Sequence, residues 1–181
     1  MDRIAIVGSS GAGKSTLARR LQRERGHAWL ELDALHHLPG WRPRPEAETR
    51  ARIAAFLERE RRWVIDGNYA AHRAQIWSAA DAVVWLDLPR HQVMRALLGR
   101  TLRRTLTREP LYNGNREPWS NLTSLDPERS VLAWSFTRFH AYRATYLAAM
   151  VDPTWAHLRF VRLRSRREVE RLLETWPAPS T

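Results

Sequence analysis

Cysteine is absent from the 181 residues. No disulfide and no zinc–thiolate centre can therefore hold this chain together, and the composition suits a reducing compartment. No apolar run approaches the roughly 18 residues of a membrane span. The chain opens directly on a short apolar stretch, without a charged-then-apolar leader. The expectation is a cytoplasmic protein that does not enter a membrane. Lysine is almost missing as well: of the 30 basic residues, all but Lys14 are arginine. A guanine-specific GTPase of the usual kind is thereby excluded, because its base-reading Asn-Lys-x-Asp motif needs a further lysine.

The surviving lysine lies in the most informative stretch, Gly8, Ser9, Ser10, Gly11, Ala12, Gly13, Lys14, Ser15 and Thr16. This fits G-x-x-x-x-G-K-[ST], a phosphate-cradling P-loop. Residues 4–7 form an apolar run of strand length before it, and Leu17, Ala18 and Leu21 follow at helical spacing. The glycines allow successive N–H groups to converge on one anion, and the helix starting near Gly13 adds its positive end. Lys14 suits the β- and γ-phosphates, since a compact ammonium on a flexible stem reaches them better than a planar fork. The Ser15 hydroxyl is placed to ligate Mg²⁺. Residues 8–16 are thus the expected nucleotide-binding set.

At 21.1 kDa with 44% hydrophobic residues, the chain suits one globular domain, expected over residues 1–176, with a disordered tail at 177–181. Gly26 reads as the C-cap of the first helix, and residues 28–32 read as a second strand ending in Asp33. In an open parallel sheet the carboxyl ends of strands carry the ligands, which brings Asp33 near the P-loop. The proline- and aromatic-rich stretch after it, with His36, His37 and Trp41, reads as the start of an acceptor-covering segment at about 34–62. Adjacent histidines point apart, so packing or substrate contact is favoured over metal ligation. Pro45 and Glu46 open a helix. Residues 63–65 form a third strand running into Asp66, the Walker B arrangement for holding Mg²⁺ or its water. Residues 82–86 form a fourth strand, and a long helix starts at Arg90.

On that helix Arg100, Arg104 and Arg108 lie four apart and share a face. They lead into a loop rich in turn formers, read as a lid at about 100–127. Pro127 and Glu128 are expected to start a helix of about six turns that carries Arg138 and Arg143. Residues 158–163 alternate as a fifth strand, and Ser165 with Glu168 forms a capping box for the last helix.

Alternating strands and helices, a P-loop after the first strand and a long basic lid resemble the nucleoside-monophosphate kinase superfamily over residues 1–176. Trp63-Val64-Ile65-Asp66-Gly67 is similar to the adenylate kinase segment whose aspartate holds magnesium through water. Asp33 is similar to the acidic residue that meets the acceptor hydroxyl in shikimate and gluconate kinases. The Leu32-Asp33-x-Leu35 stretch, Trp41, Asp66-Gly67-Asn68-Tyr69 and Trp85-Leu86-Asp87-x-Pro89 resemble a bacterial group of adenylate kinase-like, DNA topology modulation protein-related P-loop proteins. Leu32-Asp33-Ala34-Leu35-His36-His37 stands where adenylate kinases carry a Thr-Gly-Asp and arginine pattern, which argues against AMP as acceptor.

The resemblance implies an α/β fold, a P-loop NTPase three-layer sandwich whose five-stranded parallel sheet has the order 2-3-1-4-5. It also implies an ATP- and Mg²⁺-dependent phosphotransferase acting on a small-molecule or nucleotide acceptor. In that reading Lys14 grips the phosphates and Ser15 and Asp66 organise the metal. Asp33 serves as base or acceptor ligand, and Arg104, Arg108, Arg116, Arg138 and Arg143 neutralise the transferring phosphoryl. Apart from the resemblance, Trp41 and Tyr69 are candidates for an aromatic acceptor pocket. The net charge of +11, densest over residues 90–116, leaves two alternatives: a nucleotide-gated nucleic-acid binder and a polynucleotide-end kinase.

Overall fold

Side chains along the first strand, β1 (Arg3–Gly8), alternate between two buried environments. Ile4 and Ile6 enter one apolar cluster and Ala5 and Val7 the other, as a strand covered on both faces requires. The computed structural model describes residues 1–176; the expected tail at 177–181 lies outside them. After β1 come α1 (Lys14–Arg25), β2 (Ala28–Glu31), the short α2 (Leu32–His36) and α3 (Glu46–Arg59). These are followed by β3 (Trp63–Asp66), α4 (Ala70–Ala79), β4 (Ala82–Leu86) and α5 (Arg90–Thr107). The chain ends with α6 (Ser120–Thr123), α7 (Val131–Ala149), β5 (Arg159–Leu163) and α8 (Arg166–Glu174). The five strands pair in parallel in the order β2-β3-β1-β4-β5.

One sheet face packs on α1 and α8 through Leu17, Leu21 and Leu173. The other packs on α3 and α4 through Ile53, Phe56, Ile76 and Trp77. α7 supplies Phe139 to the first cluster and Tyr146 to the second. Gly26 caps α1 in the left-handed conformation, φ 71°, as expected. Pro45 precedes α3, whose first turn carries Glu46 and Glu48 and whose last carries Arg59, matching the helix dipole. Ser165 Oγ accepts from Glu168 N, and Glu168 accepts in return from the backbone N of Arg164, one residue before the cap.

Two expectations need correction. β2 stops at Glu31, so Asp33 rides on the helical turn α2 instead of closing the strand. Glu31 is the last residue with a partner, Asp66, on β3. Beyond Asp66 the chain turns away at Gly67, whose N–H donates to Ile6 of β1, leaving β2 nothing further to pair with. A Cβ on Gly67 would meet Leu32 Cβ at 2.7 Å, so this crossing depends on glycine. The helix expected from residue 127 begins instead at Val131, because Ser130 is its N-cap and accepts from Ala133 N. Helix α4 was not foreseen from the sequence pattern.

Candidate active site at the junction of two clefts

The P-loop wraps from the end of β1 into α1. Ala12 N donates to Ser9 O at 3.0 Å to close the turn. Gly13 precedes α1 with φ 100°. Gly11, at φ 89°, passes so close to α5 that a Cβ there would meet Val93 O at 2.7 Å and Leu97 Cβ at 2.8 Å. Ser9 and Ala12 are buried, whereas Ser10, Gly11, Gly13, Lys14, Ser15 and Thr16 line a cleft of about 430 Å³. Gly8 is clipped from outside the loop: its N–H donates to Asn68 Oδ1 at 3.2 Å, and Asn68 Nδ2 donates to Gly8 O at 2.6 Å. Tyr146 OH donates to the same Asn68 oxygen at 2.9 Å. Asn68 thus fixes the loop's entry.

Lys14 Nζ donates to Gly8 O at 2.8 Å and Ser9 O at 3.3 Å, folding back over its own loop. Burial pushes its ammonium below the usual lysine value, while the charges of Asp33 and Asp66 pull it back up. Ser15 Oγ donates to Asp66 Oδ2 at 2.7 Å, and Trp29 Nε1 donates to Asp66 Oδ1 at 2.7 Å. Asp66 is 2% exposed, and burial raises its pKa against those two hydrogen bonds. Glu31 lies beside Asp66 in register; burial and then the Asp66 charge raise its pKa too.

A hydroxyl and carboxylates gathered beside the lysine are a hard-oxygen set that fits Mg²⁺, which normally takes one or two carboxylates plus phosphate and water. No cluster of three or more metal-ligating side chains is preassembled among the described residues. His36 and His37 pack with the rings of Tyr69, Trp41 and Tyr112, and burial depresses both imidazole pKa values.

A second cleft, of about 990 Å³, shares Lys14 with the first. Trp41, Tyr69, Tyr112, Trp134 and Tyr142 give it an aromatic wall, so Trp41 and Tyr69 share one cleft. Lys14, Asp33, Arg100, Arg104 and Tyr112 line both clefts. Tyr69 OH donates to Asp33 Oδ1 at 2.9 Å, which orients that carboxylate at the junction. The Nε atoms of Arg100 and Arg104 are buried and have no hydrogen-bond partner. Burial and the neighbouring Arg104 push the Arg100 guanidinium below its ordinary value.

Of the five arginines expected to act on the phosphoryl group, only Arg104 lines the clefts. Arg108 caps α5 with φ 53°, so the four-residue periodicity breaks there and its side chain leaves the stripe. Arg116 is exposed and donates to the backbone O of Arg108. Arg138 covers the Trp134 ring at 4.8 Å. Arg143 Nε lies 3.6 Å from Asp87, whose Oδ2 already accepts from Arg162 Nε at 2.9 Å. Arg100 and Glu31 line the smaller cleft, Trp29 holds Asp66 and Asn68 holds Gly8. The Glu31-x-Asp33 spacing after an apolar strand was a readable signal for Glu31; nothing in the sequence pointed to Trp29.

No protein-family model matches the chain. A solved shikimate kinase from Acinetobacter baumannii, in complex with shikimate, aligns with 96% of this chain and 92% of its own, at TM-score 0.51 and 18% identity. The fold is that of the P-loop kinases. A gluconokinase from Sinorhizobium meliloti 1021 aligns with 96% of this chain and 87% of its own at TM-score 0.49 and 18% identity. In sequence, 83 residues are 32% identical to a bifunctional pantoate ligase/cytidylate kinase from Gloeobacter violaceus. That match covers 44% of this chain and spans only 16% of the relative.

Proposed function

We propose that the protein transfers the γ-phosphoryl group of ATP to a hydroxyl of a small acceptor. The observation that carries this is the junction: one lysine and one oriented carboxylate, Lys14 and Asp33, line both the phosphate cleft and the aromatic cleft. ATP enters the smaller cleft with its phosphates on the loop amides and Lys14. Ser15 and Asp66 would hold Mg²⁺, whose charge offsets that of the β- and γ-oxygens when bound.

The acceptor hydroxyl approaches from the larger cleft and gives its proton to Asp33. Its oxygen forms a bond to the γ-phosphorus as the bond from that phosphorus to the β,γ-bridging oxygen breaks, leaving ADP. Arg100 and Arg104, half-buried and in no ion pair among the described residues, meet the charge that develops on the transferring group. A phosphate acceptor fits less well, since it needs no base and would meet the like charge of Asp33. Membership of the adenylate kinase-like group rests on the stretches around Asp33, Asp66 and Asp87, and a cytoplasmic location on the cysteine-free composition.

Replacement of Asp33 tests the proposal. D33N should keep the affinity for Mg·ATP within a few-fold and cost about 10²–10⁴-fold in acceptor-dependent ADP release. Unchanged turnover in D33N, once an acceptor is found by thermal-shift screening, would remove Asp33 from the chemistry.

A further inference from the structure

Two segments roof the clefts. The first, residues 34–44, is closed on itself by Leu38 N donating to Arg42 O at 2.8 Å and Arg44 N donating to His36 O at 2.8 Å. The second, residues 110–116, is closed by Leu111 N donating to Asn115 O at 2.7 Å. They are far apart in sequence, the first lining the larger cleft and the second lining both, and five hydrogen bonds join them. Asn113 Nδ2 donates to Ala34 O at 3.0 Å and His37 O at 2.6 Å. Asn115 Oδ1 accepts from Trp41 N at 2.9 Å, and Asn115 Nδ2 donates to Leu38 O at 3.0 Å. Trp41 Nε1 donates to Arg116 O at 2.9 Å. Asn115 is 5% exposed, so its amide is committed to this joint.

The backbone at the joint shows the same commitment. Trp41 and Asn113 have φ of 58° and 54°. Asparagine enters that left-handed region readily, whereas a tryptophan does so only where its surroundings hold it. Both N–H groups of Trp41 donate across the joint. Immediately before Asn113, Tyr112 stacks near His37 and meets Trp41 edge-on, and it lines both clefts.

We infer that Asn113 and Asn115 are positioning residues that bolt the phosphate lid to the acceptor cover, so that nucleotide binding orders the acceptor site before the acceptor arrives. The inference rests on the nucleotide-binding reading above. Because coupling is reciprocal, acceptor binding tightens nucleotide binding by the same factor. A lid and cover hinged separately would carry no such linkage.

Hydrogen exchange on the full chain tests this with a non-hydrolysable ATP analogue and Mg²⁺ as the only added ligands. In the wild type, saturating analogue should slow exchange at residues 8–16, in the lid and also at 34–44, the last by about fivefold or more. In N115A, residues 8–16 should still be protected while the effect at 34–44 disappears. N113A, changed at an exposed position, should lose part of it and serves if N115A folds poorly. Protection of 8–16 without protection of 34–44 in the wild type overturns the inference and leaves nucleotide binding standing. Protection at 34–44 that survives both substitutions also overturns it. No protection anywhere removes nucleotide binding and this inference together.

Discussion

Asp66 keeps its carboxylate buried with one oxygen on Ser15 and the other on Trp29, and burial raises its pKa from the usual aspartate value. A carboxyl whose folded-state pKa lies above its unfolded value binds more protons when folded. Stability then falls as pH rises from the unfolded value through the raised folded one, and above that window the ionised group is a standing cost. Glu31 adds to the same window with the same sign. D66N can still accept from Trp29 and donate to Ser15, so the ligand-free variant should melt above the wild type at pH 8, and Mg²⁺ should no longer strengthen nucleotide binding. A melting temperature lowered at pH 8 and equal to the wild type near pH 4 would contradict this assignment of the burial cost. Among the arginines, R104A should lower turnover by about 10³-fold, while R108A and R138A, whose side chains lie off the clefts, should stay within a few-fold. Steady-state ADP release separates the two groups.

At the scale of elements, apolar runs ending in an aspartate or a turn marked β1, β3 and β4 plainly, because burial on both faces leaves an unbroken hydrophobic signature. The short helices were not legible. α2 exists because β2 runs out of partner at Glu31, a fact of sheet register that no local pattern carries. α4 buries Ile76, Trp77 and His72 but presents too few apolar residues to mark a stripe. The same limit applied to the site. The P-loop motif is contiguous and was fully readable, whereas the arginine stripe needed the break at Arg108 to separate Arg104 from its neighbours. The contact between the P-loop and α5 gives a prediction at this scale. G11A places a methyl against Val93 O and Leu97 at a positive φ, so it should lower the melting temperature and weaken Mg·ATP binding together. Calorimetry and a binding titration should show both losses; a variant that melts like the wild type would mean the loop and α5 pack less tightly than described.

Over the whole molecule, the net charge of +11 bears on what else adheres to this surface. Many arginines are already engaged: Arg3 with Asp81, Arg20 with Glu24 and Glu170, Arg50 and Arg52 with Glu46 and Glu48. Arg100 and Arg104 face the clefts. Duplex DNA should therefore bind only at low salt, with log K falling linearly against log salt and with no response to a non-hydrolysable ATP analogue. An analogue that tightened DNA binding tenfold at fixed salt would favour the nucleotide-gated binder over the kinase. No helix among the described residues is long and apolar enough to cross a membrane.

The most direct measurement is a thermal-shift titration of the wild type and K14A with a non-hydrolysable ATP analogue and Mg²⁺. At a hundredfold excess over its Kd the analogue should stabilise the wild type by about 2.7 kcal/mol, and K14A should show little of that shift. A wild type whose melting temperature stays fixed across the titration would contradict the claim that residues 8–16 cradle a nucleotide's phosphates.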